Sequence, residues 1–410
     1  MVADSTTALG QRLRKAERRG HFWAYVLIAP LFLFVALSFI VPLGTVLLNS
    51  VYDPIIPDNL PRTLRALDAW NGPRDQIPPE PVFAALAQDL KVAVQEQKAG
   101  AIANRLNIEE SGLRTIFMRA ARRVAAQEEG PWTPFFEAAD PAWVQPLMWG
   151  NIRNLAAPTH SLFFLSALDS RRLADASVAQ QPEDQRIHIT IYLRTLGVAL
   201  TVTLACLALG FPLAYLLAHL RDKTANLLLI LVLLPFWTSL LVRTTAWMVV
   251  LQKEGVINSL LQALGLIAEP LPLVFNRFGV VTAMTHILLP FMILPMYSVM
   301  RQIPASYVRA ARSLGASPTT AFLRVYLPQC IPGIGAGALL VFILALGYYI
   351  TPALLGGSTD QMISYFVADN MGRSLNWGLA SALAAILLAA VLALYAIYDR
   401  IAGPGNLKLG

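Results

Sequence analysis

One short stretch of this sequence combines small residues and a glycine in a polar break between two long apolar segments. It reads Arg309-Ala310-Ala311-Arg312-Ser313-Leu314-Gly315-Ala316, and nine residues after the glycine comes Val325-Tyr326-Leu327-Pro328. Alanine side chains let two backbones approach closely, and glycine permits the left-handed turn that ends a helix. Pro304, a few residues upstream, suits a helix start. These residues predict a short helix that ends in a glycine turn, and an ordinary amphipathic loop helix is the alternative interpretation.

The sequence patterns of covalent and metal chemistry are absent. There is no Gly-x-x-x-x-Gly-Lys-Ser/Thr to hold phosphates, no His-Glu-x-x-His and no Cys-x-x-Cys. Ser317 lies in a polar loop, whereas peptide hydrolysis inside a membrane needs a serine and a histidine that face each other. His286 is expected to form a packing hydrogen bond, and Cys206 and Cys330 to be small buried residues. We therefore predict no catalytic residue, no metal site and no cofactor bound by this chain.

The composition indicates a protein of the lipid bilayer. Hydrophobic residues make up 56% of the chain, charged residues make up 14%, and the mean hydropathy is +0.54, which leaves too little polar surface for a water-soluble protein. A membrane-spanning helix needs about 20 predominantly apolar residues. Six long intervals between charged residues meet this need, and Arg243 is the only charged residue inside any of them. The charged residues that bound the intervals are at 19 and 53, 194 and 221, 223 and 253, 277 and 301, 324 and 360, and 373 and 399. We predict an all-α integral membrane protein with six transmembrane helices.

The positions of Lys and Arg predict the orientation, because positively charged loops stay in the cytoplasm. The tail 1–20 is basic, six spans return the C-terminal tail 401–410 to the same side, and the segment 301–324 falls there too. A cleaved signal peptide is the alternative for the first apolar run, but the run is about twice as long as a typical signal-peptide core. We therefore place transmembrane helix 1 at 21–49 and both termini in the cytoplasm.

Residues 50–187 form a polar insertion that should lie outside the cytoplasm, between helices 1 and 2. The insertion holds 17 acidic and 14 basic residues, whereas the remainder holds 8 acidic and 18 basic ones, so the excess positive charge belongs to the membrane part and implies no nucleic acid partner. Helix-forming residues over 81–127 predict a small helical domain, with irregular Pro-rich segments on both sides. Four arginines in this domain are either a solvated helix face, which we favour, or a docking face: Arg114, Arg119, Arg122 and Arg123.

The motif around Gly315 resembles the coupling loop of ABC import permeases, whose pattern is Glu-Ala-Ala, three residues, Gly, nine residues and Ile-x-Leu-Pro. Further segments are similar to permeases of the spermidine/putrescine import family: 191–195, 210–215, 234–244, 246–247, 254–258 and 351–357. Together the similarity covers the first helix and nearly all of 188–400. Arg309 departs from the pattern, because the family has Glu at this position.

The resemblance implies the type I ABC importer permease fold, with a permease core at 188–400 and a cytoplasmic coupling loop at 304–328. It also implies a second permease subunit, two ATPase subunits that bind ATP in place of this chain, an extracytoplasmic substrate-binding protein and a lipid environment in the bacterial inner membrane. The matching positions make these residues candidates for the ATPase contact: Arg309, Ala310, Ala311, Ser313, Leu314, Gly315, Ala316 and Pro328.

Candidates for the substrate pathway come from the few polar and aromatic residues near the spans. Arg243 lies inside a span, where charged residues usually face a cavity, a partner or an interface, although it would repel a cation. Aromatic rings can contact an ammonium group, but packing is the commoner role of any single ring. The candidates are Trp237, Arg243, Tyr297, Tyr348, Tyr349 and Asp369.

The function predicted from these observations is the permease subunit of a binding-protein-dependent ABC importer, and the resemblance makes a polyamine the favoured substrate. Within the same class, an amino-acid derivative, a quaternary amine or ferric iron is the alternative substrate. A secondary transporter or channel, or a membrane scaffold for the external domain, would leave the motif around Gly315 unexplained.

Overall fold

A computed structural model describes residues 24–402 of the chain, with side chains for 24–400, and most of these residues are helical. The first half contains α1 (Ala24–Asn49), α2 (Ile55–Asn59), α3 (Pro61–Trp70), α4 (Glu80–Gln95), α5 (Ala99–Glu109), α6 (Leu113–Val124), α7 (Trp132–Ala139), α8 (Pro146–Asn154), α9 (Leu162–Ala167) and an antiparallel hairpin of β1 (Ser170–Arg172) and β2 (Val178–Gln180). The second half contains α10 (His188–His219), α11 (Asp222–Leu233), α12 (Leu240–Leu251), α13 (Val256–Ala263), α14 (Arg277–Gln302), α15 (Ala305–Ser313), α16 (Pro318–Gly347), α17 (Ile350–Leu355), α18 (Ile363–Gly372) and α19 (Trp377–Ala402). The basic tail 1–20 and most of the C-terminal tail 401–410 lie outside the described residues.

By length and composition, five of the described helices can cross a membrane: α1, α10, α14, α16 and α19. The third predicted span consists of two segments, Asp222–Trp237 and Leu240–Ala263, bent by 97°, and counting this pair as one span gives six. Thr238 is extended, with ψ at 147°, and the Ser239 hydroxyl accepts a hydrogen bond from Val242 N at 3.2 Å, so a new helix begins there. A sharply bent pair therefore replaces the unbroken helix expected over 223–253.

Helices α10, α14 and α16 pack against one another at the centre of the bundle. Their contact surfaces bury apolar side chains such as Val202 and Val341. Gly337 of α16 lies against α14, since a Cβ atom added there would be 2.9 Å from the carbonyl oxygen of Met292. Helices in lipid associate through such close van der Waals contact, which small residues permit. The backbones of α14 and α16 are therefore in direct contact.

Helix α1 presents apolar side chains outward along most of its length. It packs on α19 near its C-terminal end, over 41–49, and none of its most apolar stretch is buried. Leu27 and Phe32, for example, are 78% and 65% exposed. Such a surface would aggregate in water, whereas hydrocarbon solvates it, so the lipid bilayer is the environment that this helix requires.

The insertion folds around an aromatic core formed by α4, α6, α7 and α8. Phe83 and Trp149 meet edge to face at 4.8 Å between ring centres, and Phe136 and Trp143 at 5.0 Å, all four being fully buried. The sequence predicted irregular segments on both sides of the helical domain. That prediction is wrong, because α3, α7 and α8 lie in these segments. Proline lies in the first turn of α3 and of α8, where its missing N–H would have had no helical partner. High proline content here limits the length of the helices and does not prevent them.

The basic helix α6 has two arginines bonded inside the insertion. Arg119 forms an ion pair with Asp140 at 2.6 Å, and Arg123 donates to the carbonyl oxygen of Ala138 at 2.9 Å. Arg114 and Arg122 are exposed on the same helix. This arrangement joins α6 to α7 and leaves Arg114 and Arg122 exposed, which fits a solvated face and a docking face alike, so the choice between them stays a prediction.

The chain enters and leaves the insertion side by side. Tyr52 and Thr159 form a β-bridge, Asp53 N donates to Pro158 O at 2.8 Å, and His160 N donates to the carbonyl oxygen of the preceding segment, at residue 51, at 2.9 Å. Because these bonds join segments about a hundred residues apart, they close the insertion into one unit at the end of α1.

A buried charged network lies beneath this closure. Asp53 forms a short ion pair with Arg105 and lies 3.4 Å from Nε2 of His160. Arg105 also binds Glu109 at 2.7 Å and stands 4.9 Å from the ring centre of Phe163. Burial by itself raises the pKa of Asp53, but the His160 imidazole and the Arg105 guanidinium outweigh burial and lower the pKa from 3.8 to about 2. The carboxylate is therefore ionised and holds α5 against the start of the insertion.

A second carboxylate fixes the insertion to the bundle. Asp169 accepts hydrogen bonds from the backbone amides of His188 and Ile189, both at 2.9 Å, and lies 3.0 Å from Nδ1 of His188. A negative charge at a helix N-terminus is stabilised by the unpaired amides and the helix dipole. On the other side, a Cβ atom on Gly378 would lie 2.2 Å from the Phe163 ring, so α9 packs tightly on α19. The insertion is thus anchored on both α10 and α19.

We expect Asp53→Asn to lower the free energy of unfolding by about 3 kcal/mol at pH 7, because it leaves Arg105 buried without its main counter-charge. The folded pKa of Asp53 lies below the ordinary value, so its stabilisation is present above about pH 4 and is lost as the pH falls toward 2. Thermal unfolding of the full chain in detergent, followed by tryptophan fluorescence, should show a constant difference from about pH 7 to 5 that shrinks at lower pH. The exposed Asp58→Asn is the matched control, and an equal loss in both variants would contradict the role of Asp53.

Candidate functional site

The motif around Gly315 forms a short helix followed by a tight turn. Helix α15 ends before Gly315, whose φ is +91°. Gly315 N donates to Arg312 O at 3.0 Å, and Ala316 N donates to Ala311 O at 3.1 Å, so the turn satisfies the last carbonyl groups of the helix. No heavy atom lies within 4 Å of the place that a Cβ would take. Glycine is therefore required by the backbone conformation, and the space beside it is open.

The outer surface of α15 has little contact with the rest of the chain. Leu314 is 90% exposed, Ala310 and Ser313 are exposed, and Ala311 and Ala316 are half-buried. The Ser313 hydroxyl donates to the carbonyl oxygen of residue 309 at 3.0 Å, so it is used within the helix. Leu314 therefore has no apolar neighbour that covers it in the described part of the chain. An exposed leucine of this kind can serve as an anchor residue in a docking surface.

The segment after the turn passes directly into the bundle. Ser317 accepts a hydrogen bond from Thr320 N at 3.2 Å and starts α16, which then contains a wide turn over Phe322–Tyr326. Leu327 N donates to the carbonyl oxygen of Phe322, five residues back, and Pro328 follows with no amide to donate. The chain therefore runs from α15 through this turn directly into α16, whose backbone touches α14.

A groove of about 640 Å³ separates α15 from the ends of α10, α14 and α16. Arg309 and Arg312 line it from α15, and an aromatic group lines it from the bundle: Tyr215, His219, Phe322 and Tyr326. Arg301 donates to Ala218 O at 3.0 Å and to Leu220 O at 3.3 Å, so it caps the last turn of α10. Arg309 therefore faces this groove and is not confined to the outer, partner-facing surface.

The six candidates for the substrate pathway are dispersed over the bundle. Trp237 is 78% exposed at the bend between α11 and α12, Tyr349 is 44% exposed before α17, and Asp369 is ion-paired with Arg373 at 3.3 Å. Tyr297 and Tyr348 pack at the edge of the bundle core. The described residues do not bring these five side chains into one cluster, so a shared pathway stays a prediction.

Arg243, the sixth candidate, lines a small cavity of about 160 Å³ together with Trp247 and His286. Trp247 Nε1 donates to Nδ1 of His286 at 3.1 Å, which confirms the packing hydrogen bond expected of that histidine. Nε of Arg243 is buried and has no hydrogen-bond partner among the described residues. Among the six candidates for the substrate pathway, Arg243 therefore has an unused hydrogen-bond donor next to a cavity.

Sequence reasoning missed Arg312 and the aromatic group of the groove. Tyr215 and His219 are four residues apart on α10, and Phe322 and Tyr326 are four apart in the wide turn of α16, so each pair lies on one helical face. That spacing was a usable signal for a local pair. Nothing in the sequence indicated that the two pairs meet, with Tyr215 and Tyr326 at 5.4 Å between ring centres.

We expect Gly315→Ala to strain the turn by about 1–2 kcal/mol, because an alanine disfavours positive φ, and Gly315→Asn to strain it less. Hydrogen exchange of the amides at 314–316 should accelerate by about tenfold in the alanine variant, and by less in the asparagine variant. Gly347→Ala is the control, since that glycine has a negative φ and open space around it. Native exchange in the Gly315→Ala variant would disprove the requirement for glycine.

Comparison with known proteins places this arrangement in a family. The sequence model of the binding-protein-dependent transport system inner membrane components matches residues 210–403. The chain is 35% identical over 214 residues to the spermidine/putrescine transport system permease protein PotB of Salmonella typhimurium, covering 52% of this chain and 75% of that one. It is 36% identical over 260 residues to the inner membrane ABC transporter permease protein YdcU of Escherichia coli, covering 58% and 81%.

Among solved structures, a bacterial alginate ABC transporter in complex with its oligosaccharide-bound periplasmic protein is similar over 53% of this chain and 78% of that one, with 17% identity and a TM-score of 0.45. The sequence relatives are matched over more than two thirds of their length at more than 30% identity. The chain therefore belongs to the family of binding-protein-dependent transport system inner membrane components, and it is a multi-pass permease subunit of an ABC importer rather than an enzyme.

Proposed function

We propose that this permease moves a polyamine, such as spermidine or putrescine, across the bacterial inner membrane. The observation that carries the proposal is the similarity to permeases named for spermidine and putrescine transport, which extends over three quarters of the length of the Salmonella protein. The family model matches 210–403, a region that includes the bent pair α11–α12 and the helices α14 and α16. Substrate choice in such importers also depends on the binding protein that delivers the substrate.

The complete importer would contain a second permease, two ATPase subunits and an external substrate-binding protein. ATP would bind to the ATPase subunits and not to this chain. Helix α15 and Leu314 would enter a groove on one ATPase, which is supported by the high exposure of Leu314 and by the glycine turn behind it. Lipid would surround α1 and the outward faces of the other spans.

Both termini and α15 would face the cytoplasm, and the insertion would face the periplasm. The support is the distribution of charge, since the basic tail, the segment 301–324 and the C-terminal end of α19 all belong to one end of the spans. Helix α10 separates the two sides, with the insertion bound at its start through Asp169 and α15 beside its end.

In this assembly, ATP binding would draw the two ATPases together and move α15 with them. The motion would pass through α16 to α14, because their backbones touch near Gly337. The proline residues at 290 and 295 within α14 allow that helix to bend during the change. The substrate path across the membrane would then open toward the cytoplasm in place of the periplasm.

A second candidate substrate is an amino-acid derivative, and Arg243 favours it. The Nε atom of Arg243 is buried beside a cavity and has no hydrogen-bond partner among the described residues. A guanidinium group binds a carboxylate through two parallel hydrogen bonds, whereas it repels a free cation. A polyamine pathway would instead place this side chain away from the route, against the partner permease. A channel or secondary transporter is less well supported, because it would not use the exposed α15.

Uptake of labelled spermidine and putrescine tests the substrate. In cells that lack this gene, the native chain should restore uptake of at least one amine, and a Gly315→Asp variant expressed to the same level should not. Competition with unlabelled amines that carry a carboxylate separates the two substrate classes. If the native chain restores no amine uptake, the polyamine proposal is wrong.

Leu314→Ser tests the docking surface. Since the side chain is 90% exposed, we expect unchanged folding, but loss of a buried leucine from the complex should weaken ATPase binding by about 1.5–3 kcal/mol, or at least tenfold. Co-purification of the ATPase with the tagged permease measures this. Leu266→Ser, at a leucine 67% exposed in the loop after α13, is the matched control. Equal ATPase recovery with both variants would refute docking through Leu314.

A further inference from the structure

The groove behind α15 has a composition that docking to an ATPase does not explain. It lies at the ends of three helices of the bundle, on the inner side of α15, whereas Leu314 points to the outer side with 90% exposure. Its walls combine aromatic rings from α10 and α16 with arginines from α15 and α14. The groove and the ATPase-docking surface therefore occupy opposite sides of one short helix.

The groove carries an excess of positive charge. Arg301 is ion-paired with Asp222, so its charge is compensated. Arg309 and Arg312 line the groove three residues apart on α15, and no ion pair joins either to a carboxylate within residues 24–402. No acidic side chain lines the groove in that part of the chain. Two guanidinium groups without counter-charges thus face the same space, which selects for an anion.

The aromatic side of the groove is tightly packed. Tyr326 is only 4% exposed, and its hydroxyl lies within hydrogen-bonding reach of the Cys330 thiol. The ring is held in place by stacking on Phe322 at 5.7 Å between centres and by the edge contact with Tyr215. The groups that line the groove without a counter-charge are therefore the guanidinium groups of Arg309 and Arg312, and the ligand that they call for is an oxyanion.

The position of the groove identifies the source of that oxyanion. Leu216 and Leu323 are 49% and 52% exposed and are the chain neighbours of groove residues, so the apolar outer face of the bundle continues up to the groove. Tyrosine and arginine side chains at the end of membrane spans are suited to the headgroup layer. We propose that the groove binds the phosphate of an anionic phospholipid headgroup. The lipid phosphate contacts Arg309 and Arg312, and the aromatic walls contact the glycerol region.

Such a lipid fixes the position of α15 in the coupling motion. It links α15, through two arginines, to the aromatic walls that α10 and α16 contribute, so the inner side of α15 is held to the bundle while its outer side is free for a partner. Arg309 is the residue that makes this possible, because the Glu typical of the family at this position would place a negative charge in the groove. Arg309, which departs from the family pattern, is thus assigned a role in lipid binding.

Native mass spectrometry of the full chain, released from detergent in the presence of phosphatidylglycerol, phosphatidylcholine or inorganic phosphate, tests the proposal. We expect phosphatidylglycerol to remain bound and the other two probes to be lost. Arg309→Gln with Arg312→Gln should weaken phosphatidylglycerol binding by about 25-fold, at about 1 kcal/mol or fivefold for each arginine.

The matched control removes two charges at the same end of the bundle but outside the groove, with Lys223→Gln and Arg324→Gln, and should leave binding unchanged. Equal losses in the control and the groove variant would overturn the proposal, since they would show attraction to net charge alone. Retention of inorganic phosphate in place of the lipid, or displacement of the lipid when the ATPase is added, would also overturn it. Because the measurement is binding to the permease alone, its outcome does not depend on the transported substrate.

Discussion

The structure depends on the direct backbone contact between α14 and α16 at the centre of the bundle. In lipid there is no hydrophobic gain from bringing two apolar helices together, so contact must come from close fit, and Gly337 supplies it against Met292. Helix α10 completes this core. Since α15 and its turn join α14 to α16 along the chain, the two helices in contact at Gly337 are also those connected to the proposed docking surface.

The insertion is stabilised by interactions of a different kind from those of the bundle. It has an aromatic core of its own, and its two ends are joined by backbone bonds beside the buried Asp53–Arg105 pair. It meets the bundle through the Asp169 contact at the start of α10 and through Phe163 against Gly378 of α19. These two contacts hold the insertion against α10 and α19. A compact unit attached in this way is suited to present a fixed surface outside the membrane.

Helix α15 has two faces with different chemistry. Its outer side and tip are small and apolar, as docking into another protein requires, and its inner side carries Arg309 and Arg312 toward an aromatic groove. A family comparison made position by position treats Arg309 as an altered contact with the ATPase. The structure shows that Arg309 also faces the groove between α15 and the bundle. The candidate site therefore includes this groove as well as the motif around Gly315.

The sequence alone determined the membrane environment, the places of the spans, the glycine turn after α15 and the family, because each rests on local composition or on short fixed spacing. The tertiary structure decided what distant segments do together. Arg105 lies 52 residues from Asp53, and Trp247 lies 39 residues from His286, yet both pairs are bonded. The 97° bend after α11 also escaped the sequence, because its apolar residues suit a straight helix equally well. Hydropathy and propensity describe each segment separately, whereas burial, charge pairing and the groove behind α15 arise only where separate helices meet.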